Sequence, residues 1–230
     1  NADLTEVAYK WTDSPLKEKK NAPMLSLDMS CLKLLAFDVL ERICAMYGLN
    51  GKRKYEKAKN EMIQLINDTF WNEYEGLYMN KGVNGQWAFS YGATSFYPLI
   101  AGAVDTNEKL SALINNLTDP KKFWVKNLVP TLSANNREYG NTGKPNNNGE
   151  RKPPYLEYRG SIVPYVNYII YQGLCRYGLD ELAGAVALSS AKLWANNQSD
   201  NVENFSLYLP TGKMYKSKEY LSSNGNLLAL

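Results

Sequence analysis

Histidine is absent from all 230 residues. That absence removes Ser-His-Asp and Cys-His catalysis and every histidine-ligated metal centre. Proton transfer must therefore use carboxylates, lysine, tyrosine or cysteine. Cysteine is scarce too: Cys31, Cys44 and Cys175 are the three in the chain. An odd count without short spacing supplies neither a disulfide framework nor a zinc site. All three lie in apolar helical contexts and read as small buried side chains. No apolar run approaches the ~20 residues of a membrane span. The opening Asn1-Ala-Asp-Leu-Thr-Glu6 has no basic region followed by an apolar one, so no signal peptide is visible. Localisation stays open between the cytoplasm and export after trimming. The net charge is only +3, and Lys17-Glu-Lys-Lys20 and Lys52-Arg-Lys54 are short clusters among acids. They read as solvated faces rather than a nucleic-acid track. Neither nucleic acid nor membrane is an expected partner, and no cofactor or metal is expected.

What the chain has is apolar bulk and aromatic surface. Hydrophobic residues make up 44% of it, with 17 Tyr and 5 Trp. This length can bury a substantial core as one domain spanning 1–230. Large amphipathic rings suit sugar faces and equally suit a thick helical core.

The periodicity is helical nearly throughout. Leu32, Leu35, Ala36, Val39, Leu40, Ile43 and Met46 recur at three- and four-residue steps and predict one apolar face, with Gly48 as the stop. Met62, Leu65, Ile66 and Phe70 mark a second helix from near Lys52. Phe70 to Tyr78 breaks the period and predicts a turn into a short extended piece. A helix is expected over about 90–104, where Pro98 either kinks it or marks its start. Asp105-Thr-Asn-Glu108 predicts a capping box before a helix carrying Leu110, Leu113, Ile114 and Leu117. A long loop follows between about Thr118 and Tyr158, and loops of that length are usually functional or disordered. Two helices are then expected near 161–177 and 180–197. The first buries Ile162, Val166, Ile169, Ile170 and Leu174, and Asp180 caps the second. Asn226 to Leu230 looks like part of a seventh helix. The fold class is all-α, built of helical hairpins, with no parallel-sheet pattern.

Several segments carry a family resemblance. They are Phe70-Trp-Asn-Glu-Tyr-Glu-Gly-Leu-Tyr78, Ser95-Phe-Tyr-Pro-Leu99, Phe123-Trp124 and Val129-Pro-Thr-Leu-Ser133. Tyr158-Arg-Gly160, Asn167 to Leu174, Glu203-Asn-Phe-Ser206 and Pro210-Thr-Gly212 follow in order. Together, over roughly 70–230, they resemble the C-terminal part of (α/α)6-barrel glycosidases. The resemblance is to glycoside hydrolase family 63 and its mannosylglycerate-hydrolase-like and trehalase-like relatives. It implies part of a helical-hairpin toroid and an inverting α-glycosidase acting on an oligosaccharide or small glycoside with two carboxylates. One protonates the departing oxygen; the other activates water on the opposite face, at a separation of about 6.5–9.5 Å. Their environments must push the two pKa values apart.

Glu203 matches the family's general base. Otherwise it is a surface glutamate near a helix C-terminus, where negative charge is unfavourable. The family's general acid is an aspartate in a segment of the form Gly-x-Asp-Asn-Ser-Pro. Aligning Lys10-Trp-Thr-Asp-Ser-Pro15 on its Ser-Pro puts Thr12 at the acid position and Asp13 one residue later. Either Asp13 has taken the role or the site lacks its acid; alternatively Asp13 is a turn residue. Asp28 matches a second family aspartate, for substrate hydroxyls or helix capping. Arg159 matches the arginine of the aromatic-Arg-Gly segment. It suits sugar hydroxyls, an acidic aglycone or a catalytic carboxylate, and otherwise a salt bridge with Glu157. Trp11, Trp87, Tyr91, Tyr158 and Tyr208 are candidates for stacking on sugar or for core packing.

A complete barrel of this family has twelve helices, and the chain supplies about half. An open half-barrel leaves apolar faces in water. The expectation is a domain incomplete on its N-terminal side, closed by a missing segment, another polypeptide or self-association. Two other classes compete with the enzyme: a degenerate, non-catalytic carbohydrate-binding module that keeps Arg159 and the aromatics, and a protein-binding helical solenoid. Long aromatic loops argue against the solenoid.

Overall fold

A computed structural model describes residues 24–82, 84–88, 91–136, 139–140, 159–196, 205–208 and 214–216. Helix α1 spans Leu27–Met46. Its N-cap Ser26 makes no side-chain bond to a backbone amide of the first turn. The cap is supplied from afar: Asn80 Oδ1 accepts from the Leu27 amide at 2.8 Å, meeting one of the orphan donors of a helix start. Gly48 ends the helix at a left-handed φ of 63°, while the Leu49 amide closes back on the Cys44 carbonyl at 2.9 Å.

The expected apolar face of α1 is not the one that meets the core. Leu27, Cys31, Leu34 and Cys44 are buried, whereas Leu32, Val39, Leu40 and Ile43 are exposed, as is Met46 at 75%. The helix is apolar on both sides, so periodicity could not say which side the neighbouring helices would take.

Helix α2, Lys52–Phe70, returns antiparallel and buries Ile66, Asn67 and Phe70. Strands β1 (Met24–Leu25), β2 (Trp71–Asn72), β3 (Leu77–Tyr78) and β4 (Lys81–Gly82) are two residues each. β2 and β3 form the short extended piece expected after Phe70, and β1 pairs with β4. A 3-10 turn, Ala93–Phe96, leads into the five-residue helix α3, Tyr97–Ala101. Pro98 stands in its first turn and so marks a start rather than a kink.

Helix α4 spans Asn107–Thr118. Its cap is Thr106, whose hydroxyl accepts from the Lys109 amide, and not the expected Asp105. Asp105 instead pairs with the Lys109 ammonium at 2.9 Å. Helices α5 (Pro164–Arg176) and α6 (Asp180–Asn196) form the last hairpin. Asp180 begins α6 as a first-turn acid, a position the helix dipole favours. Ile162, Val166, Ile170 and Leu174 of the expected set are buried, and Ile169 only partly. Strands β5 (Phe205–Tyr208) and β6 (Met214–Lys216) pair antiparallel. Residues 226–230, the expected seventh helix, lie outside the described residues.

The packing is layered. α1, α3 and α5 lie side by side; α2 backs α1 and α6 backs α5. The middle helix is the most enclosed, with Tyr97, Pro98, Leu99 and Ala101 all buried. Contact between α3 and α5 is close because position 173 is glycine. A Cβ there would meet Leu99 Cβ at 2.7 Å and the Ile100 amide nitrogen at 2.8 Å.

Two buried asparagines lock the layers. Asn67 donates to the Ile63 and Ala103 carbonyls and accepts from the Tyr78 hydroxyl and the Lys109 ammonium. Asn167 accepts from the Val129 amide at 3.0 Å and donates to the Leu128 carbonyl at 2.7 Å and to Ser190 Oγ at 3.3 Å. An amide side chain satisfied on both ends is an affordable way to bury polar atoms. Asp38 joins α1 to its neighbours through Lys59 and Arg176, and pairs with Arg42 one turn on within α1. Lys59 also pairs with Glu41, and that bond chiefly raises its pKa.

Candidate active site

The segments that precede the three side-by-side helices are cross-linked at one end of the layer. β1, before α1, pairs with β4. Gly92, before the 3-10 turn, bridges Leu132; Pro130 bridges Ile162, just before α5. Backbone bonds fill the gaps: Ala93 N to the Thr131 carbonyl at 2.9 Å, Thr131 N to the Ser161 carbonyl at 2.9 Å, and Ser133 N to the Tyr91 carbonyl at 2.8 Å. The result is a belt of paired loops across the helix starts. Three of the candidate residues lie on it.

Asp28 sits in the first turn of α1 and is buried at 4% exposure. Its carboxylate accepts from the Ser26 hydroxyl. It is therefore not the N-cap residue, which is Ser26. It lies where the helix dipole favours an anion, and it helps to raise the pKa of the wholly buried Cys31 thiol, for which burial is the larger cause.

Arg159 is buried at 8% exposure. Its carbonyl accepts from the Gly140 amide at 2.6 Å. The adjoining Gly160 has φ of 100° and donates to Thr131 Oγ1 at 3.1 Å. A side chain at 160 would be strained by that φ and would drive a Cβ to 2.5 Å from the Tyr139 ring. So the glycine after Arg159 sets the backbone path by which the buried arginine joins the belt. Holding an ionised group there demands polar partners.

Trp87 is half-buried against the core. The Lys81 ammonium stands 4.0 Å above its ring centroid, a cation–π contact. One face of the indole is thus already occupied, leaving at most the other for a sugar. Tyr91, also half-buried, has its pKa pushed up to about 12, first by burial and then by the Glu75 carboxylate to which it hydrogen-bonds.

Sequence reasoning missed Gln86 beside Trp87. Its Oε1 is buried without a hydrogen-bond partner among the described residues. Such an acceptor costs about 1–3 kcal/mol, and a hydroxyl donor would relieve it. Asn80 was missed as well. Each is a single amide in a turn-rich stretch, which pattern alone does not distinguish from an ordinary loop residue.

Glu203, Asp13, Trp11 and Tyr158 lie outside the described residues. Tyr208 ends β5, opposite Met214, two residues beyond the segment that begins at Glu203; its side chain is likewise outside the description. Among the described residues no group of three or more Cys, Asp or Glu is placed to hold a metal ion, and no helix is long and apolar enough to cross a membrane.

A family model described as the mannosylglycerate hydrolase MGH1-like glycoside hydrolase domain matches residues 2–222. Among solved structures, the chain is similar to a family 63 mannosylglycerate hydrolase from Thermus thermophilus in complex with Tris. The TM-score is 0.71 at 16% identity, covering 90% of this chain and 45% of that one. The same enzyme with glucose gives 0.70 at 15% identity, covering 90% and 48%. The neutral trehalase of Saccharomyces cerevisiae gives 0.65 at 12% identity, covering 98% of this chain and 42% of that one. An uncharacterized protein of Borreliella burgdorferi is 24% identical over 184 residues, covering 72% of this chain and 36% of that protein. The chain thus spans less than half the length of each of these proteins. The all-α, helical-hairpin expectation is met: these neighbours are (α/α)6-barrel glycosidases, and the described helices form part of such a toroid.

Proposed function

Because the chain belongs to the mannosylglycerate hydrolase MGH1-like glycoside hydrolase family, we propose that it hydrolyses an α-glycosidic bond with inversion in a small glycoside. The observation that most supports this is the belt that links Asp28, Trp87 and Arg159 across three helix starts. Glycosidase chemistry needs groups from separate elements held at fixed mutual positions, and paired loops on a helical layer provide that stiffness.

The proposed division of labour follows from charge. An oxocarbenium-like transition state needs a proton delivered to the leaving oxygen and a hydroxide equivalent delivered from the opposite face. Glu203 is the proposed base and Asp13 the proposed acid. Arg159 holds a sugar hydroxyl or an acidic aglycone, or orients the base. Asp28 accepts from a ring hydroxyl, and Gln86 Oε1 takes a second hydroxyl donor. The aromatic candidates Trp11, Trp87, Tyr158 and Tyr208 serve as stacking platforms. Glucose, present in one complex of the Thermus enzyme, gives a first substrate set: α-glucosides and α-mannosides of small aglycones.

The test is a turnover screen of that set, with product anomers followed by proton NMR. The β-anomer is expected first; the α-anomer first would overturn inversion. Glu203→Gln should abolish turnover and keep sugar binding, while retained turnover would refute the base. One observation favours a second reading: Thr12 occupies the position where the family carries its acid. If Asp13→Asn leaves a measurable activity unchanged, Asp13 is not the acid. If neither the parent chain nor the variant turns over any glycoside yet the sugar still binds, the domain is a binding module.

A further inference from the structure

The peptide between Arg159 and Gly160 is held at both of its polar atoms. Its carbonyl accepts from the Gly140 amide at 2.6 Å, and its N–H donates to Thr131 Oγ1 at 3.1 Å. Two bonds from opposite edges of a planar unit leave it one rotation, about the line that joins them. Gly160 does not stop that rotation from within, because glycine meets little steric resistance at its φ of 100°. The stop comes from Tyr139. Its Cδ2 and Cε2 both lie 2.5 Å from the point where a Cβ on Gly160 would stand, and Cζ lies 3.2 Å from it. The ring therefore occupies the side-chain position that the glycine leaves empty. It is carried there from the belt by two successive turns. The Asn136 amide donates to the Ser133 carbonyl and the Tyr139 amide to the Asn136 carbonyl, both at 2.9 Å. Ser133 is in turn bonded through its amide to the Tyr91 carbonyl.

We propose that Tyr139 is a positioning residue for Arg159: its ring, seated on Gly160, fixes the backbone from which the guanidinium extends. The role rests on the reading of Arg159 as a sugar-contacting residue. An arginine reads hydroxyls or carboxylates through a rigid planar fork of five N–H donors. Groups of that kind act only when held within about 0.5 Å of their productive geometry. Arg159 is buried, but a long side chain is aimed first by its own backbone, and a glycine beside it is the least restrained neighbour a chain can offer. Gly140, Thr131 and the Tyr139 ring together supply the missing restraint at three points. The arrangement is reciprocal: Gly140, after the tyrosine, serves Arg159, and Gly160, after the arginine, receives the tyrosine. The ring and not the hydroxyl does this. Tyr139 is half-buried, burial pushes its phenol above the ordinary pKa, and among the described residues its hydroxyl makes no hydrogen bond.

The experiment follows the Arg159 Nε–H signal by proton–nitrogen NMR in the 230-residue chain, without sugar, the signal being identified by its loss in Arg159→Lys. Tyr139→Phe keeps the ring and should leave the hydrogen exchange of that group within about twofold of the parent, while Tyr139→Ala should speed it at least about 10-fold. Thr131→Val releases the other end of the same peptide and should speed it too, which keeps the test decisive where the alanine variant does not fold. Glucose is then the binding probe, by calorimetry. Tyr139→Ala should weaken its binding about 10-fold in the parent background and less than about twofold beside Arg159→Lys, because a positioning residue acts only through the group it positions. A chain that binds no glucose sinks the sugar-contact reading, and the Arg159 signal still decides the positioning. An Arg159 signal unchanged in both Tyr139→Ala and Thr131→Val, a Tyr139→Phe variant as disturbed as the alanine one, or equal weakening in both backgrounds overturns the proposal.

Discussion

Helix α1 and the loop before α5 exchange the roles that their sequences suggest. α1 is the longest described helix, 20 residues rich in Leu, Ile, Val and Met, yet a row of its aliphatics is exposed. The stretch Leu128 to Ser133 belongs to a long connection with no helix among its described residues, yet all six residues are buried. What decides is position in the layer. The loop runs between the 3-10 turn, α5 and α6 and finds partners for its backbone: Asn167 for Leu128 and Val129, Ser189 Oγ for the Leu128 amide, Ser161 for Thr131. It is further clamped by Phe123 packed edge-on to Phe96 at 4.9 Å. Among the described residues, α1 has neighbours on one side only. Burial follows available partners, and a loop can be buried once its polar groups are paired.

The largest effect that would test this contrast is in the loop. Asn167→Leu keeps volume but leaves the Val129 amide and Leu128 carbonyl buried and unpaired, so urea unfolding should show a loss of about 3–4 kcal/mol. A loss under about 1 kcal/mol would mean that the loop is not held as described. Gly160→Ala should cost about 2 kcal/mol, because a β-carbon meets both a positive φ and the Tyr139 ring. Thr131→Val removes the acceptor for the Gly160 amide and should cost about 1–2 kcal/mol. On α1, Leu32→Gln should move stability by no more than about 0.5 kcal/mol, because Leu32 is exposed. A loss of about 2 kcal/mol there would show that Leu32 is packed rather than exposed.

The smallest effect is a pH dependence in the belt. Tyr91 ionises near 12 when folded, against 10.0 ordinarily. Its folded pKa is raised, so its contribution is complete below pH 10 and lost as pH climbs towards 12. The difference in unfolding free energy between the parent and Tyr91→Phe should therefore narrow across that window; a constant difference would place the ring outside the belt.

Much of this architecture was legible in the chain. The helices around Leu32–Met46, Met62–Phe70, Leu110–Leu117 and 180–197 follow from their period, and the hairpin at Trp71–Tyr78 from its break. Pro98 as a helix start was one of two options the sequence left open. The orientation of α1 was not legible, because both of its faces are apolar. The cap at Thr106 was displaced by one residue because Asp105 serves Lys109 instead. In the site, Arg159 and Asp28 could be singled out from neighbouring motif residues, but their burial could not. Gln86 and Asn80 left no signal, and Asn167 stood in a motif segment that did not reveal its role, since each acts through a partner 53 or 38 residues away or through a void in pairing. Contacts of that kind are set by the fold and have no local pattern.

Asn167 also has a consequence in time. Its bonds to Val129 and Leu128 span 38 and 39 residues, and its Ser190 contact requires α5 and α6 to be paired already. Closing so long a segment is entropically costly before the native contacts repay it. The helical hairpins should therefore form early and the belt last, so that a refolding molecule acquires its helices well before it acquires a site.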